Sequence, residues 1–426
     1  MALLQPTSLV FTVERQEPEL IVPAKPTPHE CKLLSDTDDQ AGHRFQIRGL
    51  HIYRNNAFAC RERTPLGLKE GPNRKLMVDC SGEGVLFIEG DADVTLEDFG
   101  DSLHPPFPCF KELLYELPAS IDLLNSPLLQ IQVTRFKCGG FIFAHRFNHN
   151  MSDAVGLIQF MSTMGEMARG AVAPSIPPVW ERHLLNARDP PLITCAHLEY
   201  DHDKAATGTI MPTDNLVHRS FFFGPTQISA LKRSIPDNLR CSTFDILTAC
   251  IWRCRTKALE LGADEDVRFI CIVNARSKFN PPLPLGYYGN ALGYPAVETT
   301  AAKLCQNPLE YAIKLVKEAK GKVTEEYMKS TADLMVIRGR PNVNTVRSLI
   351  LSDLSRARFR EVDSGWGKAE FGGPASGEEV ISFYIPSKNK EGKEGITVPV
   401  CLPAPLMDSF VKEINRKLKD DEATGG

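Results

Sequence analysis

A histidine and an aspartate four residues apart form the strongest catalytic candidate in the chain. His149 and Asp153 lie between the apolar stretch 141–147 and a helical pattern that follows. A side chain at the junction of a strand and a helix tends to face a cleft rather than packed core. An imidazole placed there can take a proton from a hydroxyl group at neutral pH, and the helix dipole favours Asp153 in the first turn. The same spacing also fits a histidine at the core edge with Asp153 as a helix cap.

Three potential metal ligands recur at this four-residue spacing, namely His145, His149 and Asp153. On a continuous helix they would line one face. The aromatic and β-branched content of 141–147 favours a strand instead, and residues four apart on a strand lie about 13 Å from each other. We therefore expect no metal site, and a metal-dependent hydrolase using these three residues is kept as an alternative.

A tryptophan between two glycines marks a second candidate. Gly365 and Gly367 flank Trp366 shortly after Asp363. Glycines let the backbone pass close to a ligand, and an indole N–H can donate a hydrogen bond to a developing oxyanion. The segment fits equally well a tryptophan that anchors a loop.

An arginine at the end of an apolar strand is the third candidate. Arg276 follows the stretch 267–274 and precedes a Pro-rich segment at 281–290. A guanidinium in this position is suited to pairing with a carboxylate across a domain interface. The alternative is an arginine on the surface.

Strands and helices alternate in both halves of the chain. Extended stretches at 128–136 and 140–147 predict a hairpin that leads into a helix, and strands at 218–223 and 267–274 flank a predicted helix at 242–261. Periodic apolar residues also predict one helix over 308–325. This alternation is typical of an α/β protein.

A long irregular stretch rich in Pro, Asp and His separates the two halves. Connections of this length are uncommon inside a compact domain. We therefore expect an N-terminal domain over 1–172, a crossover over 173–215 and a C-terminal domain over 216–426.

Charge and composition exclude several classes of protein. The 49 Lys and Arg residues against 53 Asp and Glu residues give a formal net charge of −4, without a basic block that would bind nucleic acid. No apolar run is long enough to cross a bilayer and no basic segment precedes the first apolar residues, so we expect a cytoplasmic protein that does not bind membranes. The 12 scattered cysteines are typical of reduced thiols in that compartment. Motifs of serine hydrolases, nucleotide-binding loops and dinucleotide-binding folds are absent from the sequence.

Taken together and in this order, these segments resemble the BAHD family of plant coenzyme-A-dependent acyltransferases. The family pattern is His-x-x-x-Asp near the middle of the chain and Asp-Phe-Gly-Trp-Gly near its C-terminus, which match 149–153 and 363–367. Further similar stretches extend over nearly the whole chain, at 23–28, 34–36, 70–76, 137–141, 285–291 and 330–336. The resemblance implies two chloramphenicol-acetyltransferase-like domains, each a mixed sheet flanked by helices, with a solvent channel between them.

The resemblance also implies a role for each candidate residue. His149 would be the general base in the channel, which acyl-CoA enters from one face and a small alcohol from the other. Asp153 would turn away from the substrates and pair with Arg276, and Trp366 would lie near the thioester carbonyl, where it can support the oxyanion. The loop residues that would support the CoA side structurally are Asp363, Gly365 and Gly367.

The implied activity is transfer of a benzoyl-, anthraniloyl- or aliphatic-type acyl group from acyl-CoA to the hydroxyl of a small alcohol. We expect a monomer that holds no permanently bound cofactor and uses acyl-CoA as a co-substrate. Two departures from the family pattern leave another alternative open, a catalytically impaired homologue that binds CoA esters. Ser364 stands where the family has Phe, and the stretch 54–69 is shorter than the helix-containing segment of relatives.

Overall fold

A computed structural model describes residues 3–4, 9–23, 25, 27–54, 67–70, 75–82, 84–100, 103–117, 124, 126–202, 215–377, 381–389 and 391–423. Most of the short stretch at 54–69, namely 55–66, lies outside these ranges. The strands are Val13–Arg15 (β1), Glu19–Ile21 (β2), Cys31–Leu33 (β3), Gln46–Tyr53 (β4), Gly67–Glu70 (β5), Leu76–Asp79 (β6), Val85–Ala92 (β7), Leu129–Arg135 (β8), Phe141–Asn148 (β9), Leu216–Phe223 (β10), Asp266–Asn274 (β11), Leu292–Gly293 (β12), Ala296–Thr300 (β13), Ser348–Asp353 (β14), Phe371–Pro374 (β15), Ile381–Lys388 (β16) and Glu394–Pro403 (β17).

The α-helices are Phe110–Leu113 (α1), Ala154–Ala168 (α2), Pro225–Arg233 (α3), Thr243–Ala258 (α4), Ala301–Gln306 (α5), Leu309–Gly321 (α6), Glu325–Ile337 (α7) and Ala404–Ala423 (α8). Short 3-10 turns include Ala41–His43 and Arg182–Leu185. None of the described helices combines the length and apolar character needed to cross a membrane.

The first sheet positions the His149 segment. Its described strands run in the order β1–β7–β8–β9–β4–β15, with β2 also paired to β7, and β7 and β8 are parallel while the other neighbours are antiparallel. Alternate residues of β4 and β9 face one core, where Leu50, Ile52, Ile142 and Ala144 are fully buried. This two-residue period is what a strand with one buried face requires. A smaller sheet joins β3, β6 and β5.

The second sheet has its described strands in the order β10–β17–β16–β14–β11–β12, with β13 also paired to β11. Helices α4, α6 and α8 contribute to its core, in which Trp252 of α4 packs against Phe269 with ring centroids 5.7 Å apart. Helix α4 begins with a capping box, in which Ser242 and Asp245 exchange side-chain and backbone hydrogen bonds. Two mixed sheets with helices match the predicted α/β class.

The two halves of the chain interlock through one strand. Strand β15 comes from the second half but pairs antiparallel with β4 of the first sheet, placing Phe371 opposite Ile52 and Pro374 opposite Gly49. The second half therefore supplies an edge strand to the sheet that carries His149. The domain bounds at 172 and 216 stay a prediction.

The helix predicted over 308–325 is shorter than expected. Helix α6 ends at Gly321, and α7 begins after Thr324, whose hydroxyl accepts a hydrogen bond from the Tyr327 N–H at 3.1 Å. Glycine is a poor helix former and threonine is a good N-cap, so a new helix starts here instead of the first continuing.

The loop 363–367 packs closely on helix α2, which gives a stability test. A Cβ atom added at Gly165 of α2 would lie 2.4 Å from the Asp363 carbonyl oxygen, whereas one added at Gly321 of α6 would meet nothing within 4 Å. We expect Gly165→Ala to lower the thermal midpoint because the loop must move. Gly321→Ala is the control and should raise stability by up to about 1 kcal/mol through helix propensity. Equal midpoints for both variants in calorimetry would contradict the packing of this loop on α2.

Candidate active site

His149 is the first residue after strand β9, and its backbone is held from two sides. Its N–H donates to the Phe45 carbonyl at 3.0 Å, and its carbonyl accepts from the Asn290 side-chain amide at 2.7 Å. The residue is partly exposed, but its ring nitrogen Nδ1 is buried and has no hydrogen-bond partner among the described residues.

The surroundings of His149 favour its neutral form. Burial lowers the pKa of the imidazole below its usual value of 6.5, and its own backbone and the Asp153 carboxylate counteract this shift only in part. A neutral imidazole has a lone pair available to accept a proton. Its surroundings thus favour the neutral form of this histidine at neutral pH.

Asp153 is the N-cap of helix α2 and faces away from the imidazole. One carboxylate oxygen accepts from the backbone N–H groups of Val155 at 3.0 Å and Gly156 at 3.2 Å. The same carboxylate forms a bidentate pair with Arg276, at 2.7 and 3.0 Å, and accepts from the Ala291 N–H at 3.1 Å. Its hydrogen bonds therefore join the first turn of the helix to the second half of the chain.

Arg276 brings the second half of the chain against the start of α2. Besides Asp153, its guanidinium donates to the carbonyls of Tyr287 at 3.1 Å and Gly289 at 2.7 Å. The same loop lies so close to α2 that a Cβ at Gly156 would be 2.1 Å from the Tyr288 carbonyl oxygen. Only glycine fits at this position of the helix.

A buried ion pair between Asp38 and Arg182 holds the backbone that follows His149. Asn290 donates to Asp38 from its backbone at 2.8 Å and from its side chain at 3.0 Å. Arg182, which lies in the crossover, pairs with Asp38 at 2.7 Å and donates to the Met151 carbonyl at 2.7 Å. Burial alone would raise the pKa of Asp38, but the Arg182 charge and a hydrogen bond from Ser35 outweigh it and lower that pKa. The crossover is therefore part of the framework of the site.

The structure does not bring Trp366 to His149. The indole packs against Phe141, with ring centroids 4.7 Å apart, and against Tyr53 at 6.0 Å. Phe141 is the first residue of β9 and His149 follows the last, so roughly 25 Å of strand separates them. From this position the indole N–H does not reach an oxyanion formed at His149, which corrects the predicted role of Trp366.

The loop around Trp366 is organised by its own aspartate. One oxygen of Asp363 accepts from the backbone N–H groups of Gly365 and Gly367, both at 2.8 Å. Gly365 and Gly367 have φ values of 101° and 84°, which only glycine adopts readily. These hydrogen bonds hold the loop with Ser364 in place of the family phenylalanine.

The three residues of the metal-site alternative are not assembled. His145 lies within β9, and its ring is 5.8 Å from that of buried His51, whereas Asp153 is engaged by Arg276. Burial lowers the pKa of His145 to about 4, and burial followed by the neighbouring His145 lowers that of His51 to about 3. Across the described ranges, no three His, Cys, Asp or Glu side chains are grouped to hold one ion.

The Asp153–Arg276 pair gives a second stability test. Asp153→Asn keeps an N-cap but removes the charge opposite a guanidinium that is 15% exposed. Breaking a mostly buried pair by neutralising one partner should lower the free energy of unfolding by about 3 kcal/mol in chemical denaturation. Arg135, which is 48% exposed beside Glu89 and Asp91, is the control, and Arg135→Gln should cost less than about 1 kcal/mol. Equal losses would contradict a special role for the Asp153 pair.

Comparison with known proteins shows the family of this chain. A profile of the group described as the Transferase family matches residues 11–417. Benzyl alcohol O-benzoyltransferase of Nicotiana tabacum is 59% identical, over 98% of this chain and 96% of that protein. 13-Hydroxylupanine O-tigloyltransferase of Lupinus albus is 51% identical, over 97% of each chain.

The solved structure of vinorine synthase has the same fold. It superposes with a TM-score of 0.71 at 19% identity, covering 95% of this chain and 98% of that one. The predicted fold class and the predicted family are both confirmed. This chain belongs to the Transferase family, the BAHD acyltransferases.

Proposed function

We propose that this protein transfers an acyl group from acyl-CoA to the hydroxyl of a small alcohol and releases an ester and CoA. The family and the two relatives, both named O-acyltransferases, support this activity. The observation that carries the proposal is the state of His149, a neutral and partly exposed histidine with its Nδ1 turned inward. We expect the acyl group to be of benzoyl, anthraniloyl or aliphatic type.

In the proposed mechanism, His149 acts as general base. Its Nε2 takes the proton of the alcohol hydroxyl as the oxygen attacks the thioester carbonyl. The tetrahedral oxyanion then collapses, the C–S bond breaks, and the imidazolium returns the proton to the CoA sulfur. A thioester is already activated, so this route needs no covalent enzyme intermediate. Base catalysis of this kind contributes about 10²–10⁴-fold, and the alignment of two bound substrates supplies further acceleration.

Residue roles in this mechanism follow from the contacts of the site. Asp153 and Arg276 position the start of α2, and Asp38, Asn290 and Arg182 hold the backbone that carries His149. Asp363, Gly365 and Gly367 shape a loop that supports the CoA side structurally. No contact of the described residues favours a metal-dependent hydrolase or a homologue unable to transfer acyl groups.

We also propose that the protein acts as a monomer in the cytoplasm. The groups that surround His149 come from both halves of one chain, so a second copy is not needed to complete the site. None of the 11 cysteines in the described part of the chain forms a disulfide, as expected in a reducing compartment.

Thiol release tests the activity and the base together. We expect the purified protein to release CoA thiol from benzoyl-CoA or an aliphatic acyl-CoA only when an alcohol is present. His149→Ala should lower this rate about 10²–10⁴-fold while CoA binding by calorimetry is retained. His183→Ala, at an exposed histidine, is the control and should behave as the unchanged protein. Normal turnover in His149→Ala would remove the assigned base.

The pH dependence of kcat provides an independent test. Because burial lowers the pKa of His149 and the neutral ring is the active form, the rate should fall only as the pH drops below 6.5. Rates are measured at saturating acyl-CoA and alcohol, so that titration of the CoA phosphates does not limit binding. A pyridyl disulfide reports the released thiol at acidic pH. An acid limb centred above pH 6.5 would contradict a buried histidine as the base.

A further inference from the structure

A second histidine lies flat against the proposed base. His43 ends the 3-10 turn Ala41–His43, and its ring centroid is 4.7 Å from that of His149 with the planes 12° apart. The ring of Phe45 meets His149 edge-on at 5.2 Å. The imidazole of His149 thus contacts two rings from one short segment.

His43 is held in one orientation and one protonation state. Its Nδ1 lies 3.3 Å from the Asp38 carbonyl oxygen, which can only accept, so Nδ1 carries the proton. Its Nε2 is then the acceptor for the Tyr294 hydroxyl at 2.5 Å. His43 is 2% exposed, and burial followed by the nearby His149 lowers its pKa to about 3. His43 therefore stays neutral wherever His149 works as a base.

Within the described part of the chain, no hydrogen bond reaches the Nδ1 atom of His149. A catalytic histidine is commonly aligned by a hydrogen bond at the nitrogen that faces away from the substrate. Here the Nδ1 of His149 has no such partner among the described residues, and the Asp153 carboxylate is bound to Arg276. With Nδ1 unpartnered, the rings of His43 and Phe45 are the contacts available to hold the plane of the imidazole on that side.

We propose that His43 is a positioning residue for the acyl transfer, holding the plane of the His149 imidazole by stacking while Tyr294 and the Asp38 carbonyl fix His43 itself. This inference rests on the proposed role of His149 as the base. Because Tyr294 lies between β12 and β13, the second half of the chain acts on the base through this contact. His43 touches no reacting atom.

The stacked ring also keeps water away from one face of His149. The other titratable groups around His149 are Asp38, paired with Arg182, Asp153, paired with Arg276, and Tyr294. A substitution at His43 leaves both ion pairs in place but removes its hydrogen bonds with the Tyr294 hydroxyl and the Asp38 carbonyl, and the Tyr294 variants separate the first of these effects. Removing the ring should admit water, move the pKa of His149 up towards its usual value, and shift the acid limb of kcat to higher pH.

The experiment compares four variants with the unchanged protein. His43→Ala removes the stacked ring and should lower kcat about 10²-fold through misalignment, leave KM for both substrates unchanged, and raise the acid limb. His43→Phe combined with Tyr294→Phe keeps a flat ring without stranding a hydroxyl and should recover most of kcat. Tyr294→Phe alone should lower kcat less, and it should cause no further loss when combined with His43→Ala.

Tyr384→Phe is the matched control, since Tyr384 is also buried but bonds Thr248 in the core of the second sheet. It should leave kcat and the acid limb unchanged. If the thermal midpoint of His43→Ala is too low for an assay, the kcat of Tyr294→Phe tests the proposal. An unchanged kcat in that variant overturns it. A normal kcat in folded His43→Ala also overturns it, as does a Tyr294→Phe loss that simply adds to that of His43→Ala.

Failure of this inference is distinguishable from failure of the proposed function. If His149→Ala is inactive while the His43 and Tyr294 variants are fully active, His149 remains the base and only the positioning role is lost. If His149→Ala turns over normally, the assigned base is wrong and the stacking has no catalytic meaning.

Discussion

The bidentate pair between Asp153 and Arg276 is the interaction on which the rest of the site depends. Asp153, four residues after His149, caps helix α2, and Arg276 binds the loop that covers the first turn of that helix. A carboxylate and a guanidinium that are largely withdrawn from water favour this one geometry, because any looser arrangement leaves a buried charge without its partner. The two halves of the chain are thereby held in one relative position beside the segment that carries His149.

Near this pair, the buried carboxylates are separated from the imidazole of His149. Asp38 and Asp153 each have an arginine partner, and neither carboxylate bonds the imidazole of His149. The ring contacts neutral aromatic surfaces instead, so the ion pairs supply rigidity while burial keeps the imidazole in its neutral form. This division differs from a histidine activated by a carboxylate hydrogen-bonded to its own ring.

Local sequence was sufficient for the features formed within a few residues. The hairpin, the start of α2 and the capping position of Asp153 follow from residue pattern, and they were predicted. The Asp153–Arg276 contact came from the family resemblance, since 123 residues separate the partners. Trp366 was misplaced because flanking glycines indicate a turn but not the end of the sheet at which it lies. Asp38, Arg182, His43 and Tyr294 gave no signal, because their contacts join segments that no spacing rule connects.

Strand β15 of the second half completes the sheet of the first half, and this has a consequence for folding during synthesis. Without Phe371–Pro374, strand β4 would present an unpaired row of backbone N–H and carbonyl groups at the border of an apolar sheet. During synthesis the ribosome releases that border long before its covering segment exists. The nascent first half therefore has an unpaired edge strand until the last quarter of the chain has been synthesised. Fragments that end after the crossover should be prone to aggregate through this edge.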